Sequence, residues 1–538
     1  MGIFDPGFAS LLTASTKTSS GQYDQVIAIS QDMLNQLFVD GKLFLHPEFK
    51  TINYPGSKSG NPNGVSLTFQ FDSTKIAFDV NLRCFVVSLY VKAGSITILS
   101  DAINISGAVF TFRYSIGEGQ LLRPKDGTYF RDVIGVGRSP YRWDWDATLW
   151  PNGNGGTIPF QQWMSDAGIN GLRTQFLLYT FLGEYDGYLA TLGLDPLFSR
   201  IVYETLNITP LQTSFPTSFY TLYPYQGDNF GGNYGNKDAL VICSMIGRNL
   251  GTTLSDPDLL QTGNYCTLDS EPGTNDGVNG TLMLSRRYFF EKVFCPRVQR
   301  MNQAADIVFN DPSFYVDENN NIQIVENYTI GMDSAHPDAN KPPFNYIWDQ
   351  NQQAYVFFKV NNHPWVQFKN PSREDYIGCT EQVTVNNAVT FEPGTPTIHM
   401  KGSTRVYSTT KRGTDPAFAK PDAYSIITDY TVNWQATFTL ADPDTDIKSL
   451  DQGRVYYTGN LPDVKIDIVG GLDQRAVRGD FYFKLWTAFQ AFFADETSLI
   501  PYSDGPHVVP ANGMFHYQNQ VFTNSGDLRA RIFYHRPQ

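Results

Sequence analysis

Signatures of catalysis and nucleotide binding are missing from this chain. It contains no H-E-x-x-H, G-x-x-x-x-G-K-[ST], G-x-S-x-G or G-x-G-x-x-G sequence, so a helix-borne zinc pair, a phosphate cradle and a nucleophile elbow have no local template. Charge is sparse as well: 17% of the 538 residues are charged, and the formal net charge is −13. The densest basic pairs, Arg286-Arg287 and Lys411-Arg412, are too small to make a phosphate-binding surface, which excludes nucleic acid as a partner. The five cysteines are few, odd in number and widely spaced, a pattern of reduced thiols rather than of a disulfide framework. His46, His336, His363, His399, His507, His516 and His535 show no i, i+2 or i, i+4 pairing, so no metal site and no cofactor is expected. Long hydrophobic runs are absent too. No window reaches the roughly eighteen apolar residues of a membrane-spanning helix. The opening MGIFDPGFASLLTASTKTSSGQ lacks a basic region followed by an apolar one. The expectation is a cytoplasmic protein, or one exported without a recognisable signal peptide.

What the chain has in abundance is aromatic side chains, with 30 Tyr and 39 Phe, together with 45 Gly and 31 Pro to supply turns. Its length exceeds one ordinary core and implies two domains or one elongated body. Two-residue alternation predicts strands at Val65–Asp72, Ile76–Val80, Cys84–Lys92 and Ser95–Leu99, joined as an antiparallel meander. Residues 238–246 (DALVICSMI) form a continuous apolar run, fitting a strand covered on both faces. The second half reads as hairpins, FYVDENNNIQIV and NYIWDQNQQAYVFFKV among them, followed by strands at 382–391, 397–407, 429–440, 453–457 and 464–469. DENNN at 317–321 imitates a calcium loop, but Ile322 stands where the loop needs Gly, so it is read as a hairpin turn. Helical spacing is expected over 159–192 and over 480–494, with Asp480 a candidate cap, and residues 213–236 are expected to be loop.

Two stretches share a figure: YDQVIAISQDMLNQLF from Tyr23, and GTLMLSRRYFFEKVF from Gly280. Each runs as strand, serine, helix. A serine at that junction can accept a hydrogen bond from an amide of the first helical turn, worth about 1 kcal/mol relative to alanine, so Ser30 and Ser285 are read as caps rather than nucleophiles. The apolar stripes behind them, Met33, Leu34 and Leu37 in the first and Phe289 and Val293 in the second, are candidate groove residues. So are Phe481, Leu485, Phe489 and Phe492 of the late helix, which is expected to be too apolar to lie on a surface. In YRWDWDATLWPNGNGG, residues 141–156, Trp143, Trp145 and Trp150 are candidates for a surface that stacks on sugar or dips into lipid, and equally for pins that hold a loop on its sheet. Asp144, Asp146 and Glu184 are read as ordinary solvated carboxylates, and no catalytic residue is assigned.

Residues 238–251 and 280–298, in that order, together with residues 23–38, resemble the forty-seven-kilodalton and OrfX proteins of clostridial neurotoxin gene clusters. The likeness rests on an apolar strand ending in a short polar turn, then a strand, a serine and an aromatic helix followed by proline, here Pro296. An Asn is common on that family's first helix, and Asn35 occupies the place. The resemblance implies a tubular lipid-binding (TULIP) fold: α+β and β-rich, with long, strongly curved antiparallel sheets wrapped around long apolar helices in an elongated body. It implies a non-enzymatic protein that binds a lipid or other hydrophobic ligand, a membrane or a partner, and that is toxin-associated. The organisation expected is a flexible arm over residues 1–22, a TULIP-like half over 23–300, and a β-rich half over 301–538 that completes the fold with the helix near 480–494. The alternative is a self-assembling structural protein, a homo-oligomer using its Tyr/Phe/Asn-rich loops and its N-terminal arm.

Overall fold

The computed structural model describes residue 16 and residues 23–39, 51–54, 65–79, 84–98, 101–115, 118–119, 142–144, 146–166, 212–213, 217–225, 229–230, 234–235, 238–246, 280–319, 321–330, 344–369, 376–415, 423–441, 456–457, 465–470, 474–494, 503–504 and 515–534. The chain folds as two units. The first comprises Met1–Ser285, Pro443–Arg454 and Pro501–Gln538, and the second Arg286–Asp442 and Val455–Ile500. This division differs from one between an N-terminal and a C-terminal half: the break falls at the second serine, and the C-terminal residues return to the first unit. Pairing is the reason, since the strand Leu528–Tyr534 lies antiparallel to Gly280–Leu284.

The first unit holds two large antiparallel sheets. In one, the strands Ala239–Ile246, Gln25–Ser30 and Gly280–Leu284 are consecutive neighbours near the centre. Gln25 faces Ser244 on one side and Leu284 on the other. The strands of the three stretches that carry the sequence resemblance are therefore neighbours in one sheet. Every residue of Gln25–Ser30 and of Gly280–Leu284 is buried, and so are residues 239–245. This is why residues 238–246 read as an unbroken apolar run: in an antiparallel sheet with one wet face they would alternate. The two serines mark opposite ends of adjacent strands, since the amide of Ser285 donates to Asp24 O while Ser30 ends the other strand and Gly280 faces Ile29.

Ser30 is a cap. Its Oγ accepts the Met33 amide at 3.2 Å, opening helix α1 (Gln31–Val39). From α1, Gln31 and Asn35 reach the neighbouring sheet. The Asn35 side chain accepts from the Ile76 amide and donates to the Ile76 carbonyl, and Gln31 Oε1 accepts from the Phe78 amide. These are the backbone groups a further strand would engage, for Thr51–Tyr54 pairs only with residues 67–70. The helix thereby finishes a sheet edge with two side chains one turn apart.

The second sheet centres on two 15-residue strands, Val65–Asp79 and Cys84–Ile98. Sequence alternation divides each into two because bulges on either side of the Phe71–Val91 pair, with Asp72 unpaired in one strand and Lys92 in the other, break the period. Residues 217–225, expected to be loop, form a strand beside Ala239–Ile246: their Tyr and Phe are strand formers in an otherwise turn-rich stretch. Of the helix expected over 159–192, residues 160–166 form α2 (Phe160–Asp166), and 167–192 lie outside the described residues. From the N-terminal arm, Thr16 is described and is buried. Its amide and hydroxyl both donate to the Asp527 carboxylate.

The second unit is built on four long antiparallel strands, Ala354–Lys369, Tyr376–Phe391, Thr397–Gly413 and Ala423–Ala441, with Ile347–Asp349, Tyr456–Tyr457 and Lys465–Gly470 at its margins. Both predicted hairpins are present, with Val316 facing Ile322 and Asp349 facing Ala354. One face of this sheet is apolar and buried, carrying Val383, Val385, Val389, Met400, Val406, Val432, Trp434 and Phe438. The other shows Thr380, Gln382, Asn386, Lys401, Arg405, Asn433 and Gln435 to solvent. The sheets of both units are antiparallel, and among the described residues none closes into a barrel.

Helix α4 (Gln474–Ala494) begins six residues before Asp480, which is therefore an interior, exposed residue and not its cap. Phe481 and Leu485 are buried one turn apart, but Phe483 is 66% and Tyr482 43% exposed. The expectation that this helix is too apolar for a surface is thus corrected. Its apolar residues run nearly all the way round, and one side of them faces water. Among the described residues, no helix is long and apolar enough to cross a membrane.

Candidate functional site

The described residues group no His, Cys, Asp and Glu in a way that could hold a metal ion. Cys84, Cys243, Cys295 and Cys379 are free and buried, and burial pushes the Cys243 and Cys295 thiols far above the ordinary range, away from nucleophilic use. Cys266 lies outside the described residues.

The arrangement that engages most of the candidate residues is in the second unit, where one helix lies on the apolar face of the long sheet. After Ser285 the chain winds as a π-helix over Arg287–Phe294 and then as α3 (Cys295–Ala304). The π segment bonds each amide to the carbonyl five residues back instead of four, as the Cys295 amide does to Phe290 O, a geometry frequent at functional sites. Phe289, Phe290, Val293 and Phe294 are all buried on it. Phe290 stacks on Tyr355 at 5.2 Å and meets Phe391 at 5.8 Å, and Phe294 meets Phe438 edge-on at 5.7 Å. Tyr355, Phe391 and Phe438 lie on three different strands, so the aromatic helix spans the width of the sheet. Arg286, at the start, places its guanidinium 3.6 Å over the Trp348 ring, and the Tyr355 hydroxyl donates to its carbonyl. Burial raises the Tyr355 hydroxyl well above its usual range, keeping it a neutral donor.

Farther along, the contacts become polar. Asn302 donates to Phe344 O at 2.9 Å and accepts from Asn387 Nδ2 at 2.8 Å. Thr404 Oγ1 donates to Ala305 O at 2.7 Å. Just past the helix, buried Asp306 pairs with Lys359 and accepts from Asn361. Asn302, Asn387, Thr404 and Asp306 are fully buried. Such polar pins fix where the helix sits, because sliding it would strand desolvated groups. The whole site is greasy at one end and hydrogen-bonded at the other.

The groove candidates divide between the two units. Met33 and Leu34 are buried in the first, while Phe289, Val293, Phe481 and Leu485 are buried in the second, where α3 packs on α4. The side chains of Leu37, Phe489 and Phe492 lie outside the described residues. The surface-aromatic candidates fare differently. Trp145 and the side chain of Trp143 lie outside the described residues. Trp150 is 3% exposed, with Trp163 at 4.7 Å, Phe160 at 5.2 Å and Phe110 at 5.9 Å, so it is a core ring and not a surface one. The physical reason is its neighbour Asp144. That carboxylate accepts Arg113 Nε at 2.6 Å and the Ala147 amide at 3.1 Å, folding the loop onto the sheet. Arg113 also pairs with Asp79.

Sequence reasoning missed Arg286, Asn302, Tyr355 and Asn387. Each acquires its role from a partner 42 to 85 residues away, a distance that periodicity cannot bridge. A polar Asn within an otherwise amphipathic helix, flanked by Met301, was the only local signal.

No family model matches the chain. No curated protein matches it either. Among solved structures, P47 of Clostridium botulinum E1 aligns with 96% of this chain and 99% of its own, at 10% identity and a TM-score of 0.38. P47 of Clostridium botulinum A2 aligns over 95% and 97%, again at 10% identity and 0.38. A lipopolysaccharide binding protein aligns over 95% and 99%, at 9% identity and 0.35.

Proposed function

We propose that the chain is a non-enzymatic binding protein of the TULIP type, which holds a lipid or other hydrophobic molecule between helix and sheet. The observation that carries this reading is the aromatic segment Phe289–Phe294 laid across the apolar face of a four-stranded sheet whose other face is polar. The sequence resemblance of residues 23–38, 238–251 and 280–298 supports it independently. In this reading the candidate lining of the second unit is Phe289, Val293, Phe481, Leu485, Phe489 and Phe492, and the first unit has a separate candidate set in Met33, Leu34 and Leu37. Apolar burial alone holds the ligand. At about 0.8 kcal/mol per methylene, a chain of roughly sixteen carbons outweighs an association cost of about 4 kcal/mol or somewhat more. No signature motif is required, and none is assigned. The ligand could be carried in a cytoplasm or outside the cell, in company with a toxin or with a membrane.

The test is extraction of the natively purified chain with organic solvent, followed by mass spectrometry of the extract. A lipid recovered in constant ratio to protein is the expected result. Protein that never yields lipid, from its own host or after incubation with mixed lipid vesicles, rejects the reading.

A further inference from the structure

In the loop 152–156, glycine follows asparagine twice, as Asn152-Gly153 and Asn154-Gly155. The loop joins Leu149–Pro151 to Thr157–Pro159, which pair antiparallel with Pro151 facing Thr157, and all of its residues are exposed. Gly153 and Gly155 both stand in the left-handed region, at φ 77° and 81°, where a side chain would be strained. The turn therefore demands these glycines, and each leaves the amide that follows an asparagine without side-chain cover.

An asparagine in that setting is open to attack by its own backbone. The glycine amide nitrogen, on losing its proton, adds to the asparagine Cγ and expels ammonia, closing a five-membered succinimide. Water then opens either carbonyl of the ring. One opening leaves aspartate, and the other leaves isoaspartate, whose main chain runs through the former side chain. Water and hydroxide are the sole co-reactants. Ring closure requires the carboxamide to swing back onto the following nitrogen, so a carboxamide held elsewhere is protected.

The two asparagines differ in this respect. Asn152 Oδ1 accepts the Asn154 amide at 2.9 Å and the Gly156 amide at 3.1 Å, while the Asn152 amide donates to Gly156 O at 3.0 Å. Its carboxamide thus reaches forward and closes the loop. Swinging back onto the Gly153 nitrogen would break both side-chain bonds. Asn154 contributes only its backbone amide to the turn. Among the described residues, neither its carboxamide nor the Gly155 amide has a hydrogen-bond partner.

We propose that Asn154 is a site of spontaneous deamidation and isomerisation in the folded protein, and that Asn152 is spared by its own hydrogen bonds. The conversion replaces a neutral amide with a carboxylate. The isoaspartyl product also inserts one backbone atom between the Asn154 and Gly156 amides, which Asn152 Oδ1 spans. That clasp then no longer reaches both amides, and the loop opens. The inference is independent of the hydrophobic-ligand reading.

Timed incubation of the full chain in mildly alkaline buffer, followed by peptide mapping with mass spectrometry, tests it. Conversion at Asn154 is expected at least ~10-fold faster than at Asn152, a barrier difference of about 1.4 kcal/mol. It should quicken as the pH rises, because the attacking amide must lose its proton, and fragmentation should find isoaspartate beside aspartate. In concentrated urea the two asparagines should convert at similar rates, since the hydrogen bonds of the loop are gone. Asn152 reacting as fast as Asn154 in the folded protein overturns the proposal, and so does an Asn154 that stays intact when folded. An unchanged preference for Asn154 in urea also overturns it, because the selectivity would then belong to the sequence and not to the fold.

Discussion

Gly402 faces Asn387 on one neighbouring strand and Trp434 on the other. A Cβ at this position would stand 2.0 Å from Trp434 Nε1 and 2.2 Å from Asn387 Oδ1. The missing side chain is therefore what lets a buried indole and a buried amide fold over the strand, the amide being the one that anchors Asn302 of the overlying helix. Gly402→Ala should lower stability by about 1–3 kcal/mol, the usual cost of forcing extra volume into a packed core. A lowered urea midpoint with an unchanged slope would register it, while an unchanged midpoint would mean that the indole has room to move. At this scale the sequence was legible where one residue acts on its immediate neighbours. Ser30 capping the helix that follows it, and Asp317 organising its own hairpin by accepting the Asn319 and Asn321 amides, are of this kind. Trp150 was ambiguous because the same indole serves a loop pin or a surface anchor, and only the Asp144–Arg113 pair, 31 residues apart, decides between them.

Elements were legible where their period survived. Two-residue alternation identified the strands of the second unit, whose outer face is wet, and an unbroken apolar run identified Ala239–Ile246 of the first, which is covered on both faces. Alternation failed at bulges, which is why Val65–Asp79 reads as two strands. The π geometry of Arg287–Phe294 has no local sequence code that separates it from an α-helix. Helix α4 shows a different limit. Its composition is apolar, but which side faces protein depends on α3, an element nearly 200 residues away in sequence. The helix–sheet contact at Asn35 belongs to this scale too. Replacing Asn35 with Ala removes the acceptor for the Ile76 amide and the donor to its carbonyl, leaving an edge strand open. A loss of about 1–3 kcal/mol is expected, with faster hydrogen exchange confined to the Ile76 and Phe78 amides. Exchange that rises uniformly over the first unit would show that Asn35 supports the fold generally and not this edge.

For the molecule as a whole, chain order and spatial order part company. The sequence suggests two successive halves. The pairing of Gly280–Leu284 with Leu528–Tyr534 instead brings the C-terminal strands back to the first unit, after the chain has built the second. Nothing local encodes such a return, since any open edge could receive the hairpin of residues 515–534. Physically, the fully buried strand Gly280–Leu284 needs a neighbour on each side, and Gln25–Ser30 supplies only one. The C-terminal turn also holds Thr16 through Asp527, tying both chain ends into the same unit. Removing residues 515–538 should therefore damage the first unit, at the opposite end of the sequence, more than the second, whose strands end at Gly470. The shortened chain is expected to accumulate as aggregate, because an apolar edge in the centre of a sheet has been opened. Limited proteolysis of whatever remains soluble should cut within residues 23–285 while sparing the span from 376 to 413. Cleavage spread evenly over both units, or a shortened chain as soluble and resistant as the full one, would mean that the returning strands are an appendage and that the sheet is complete without them.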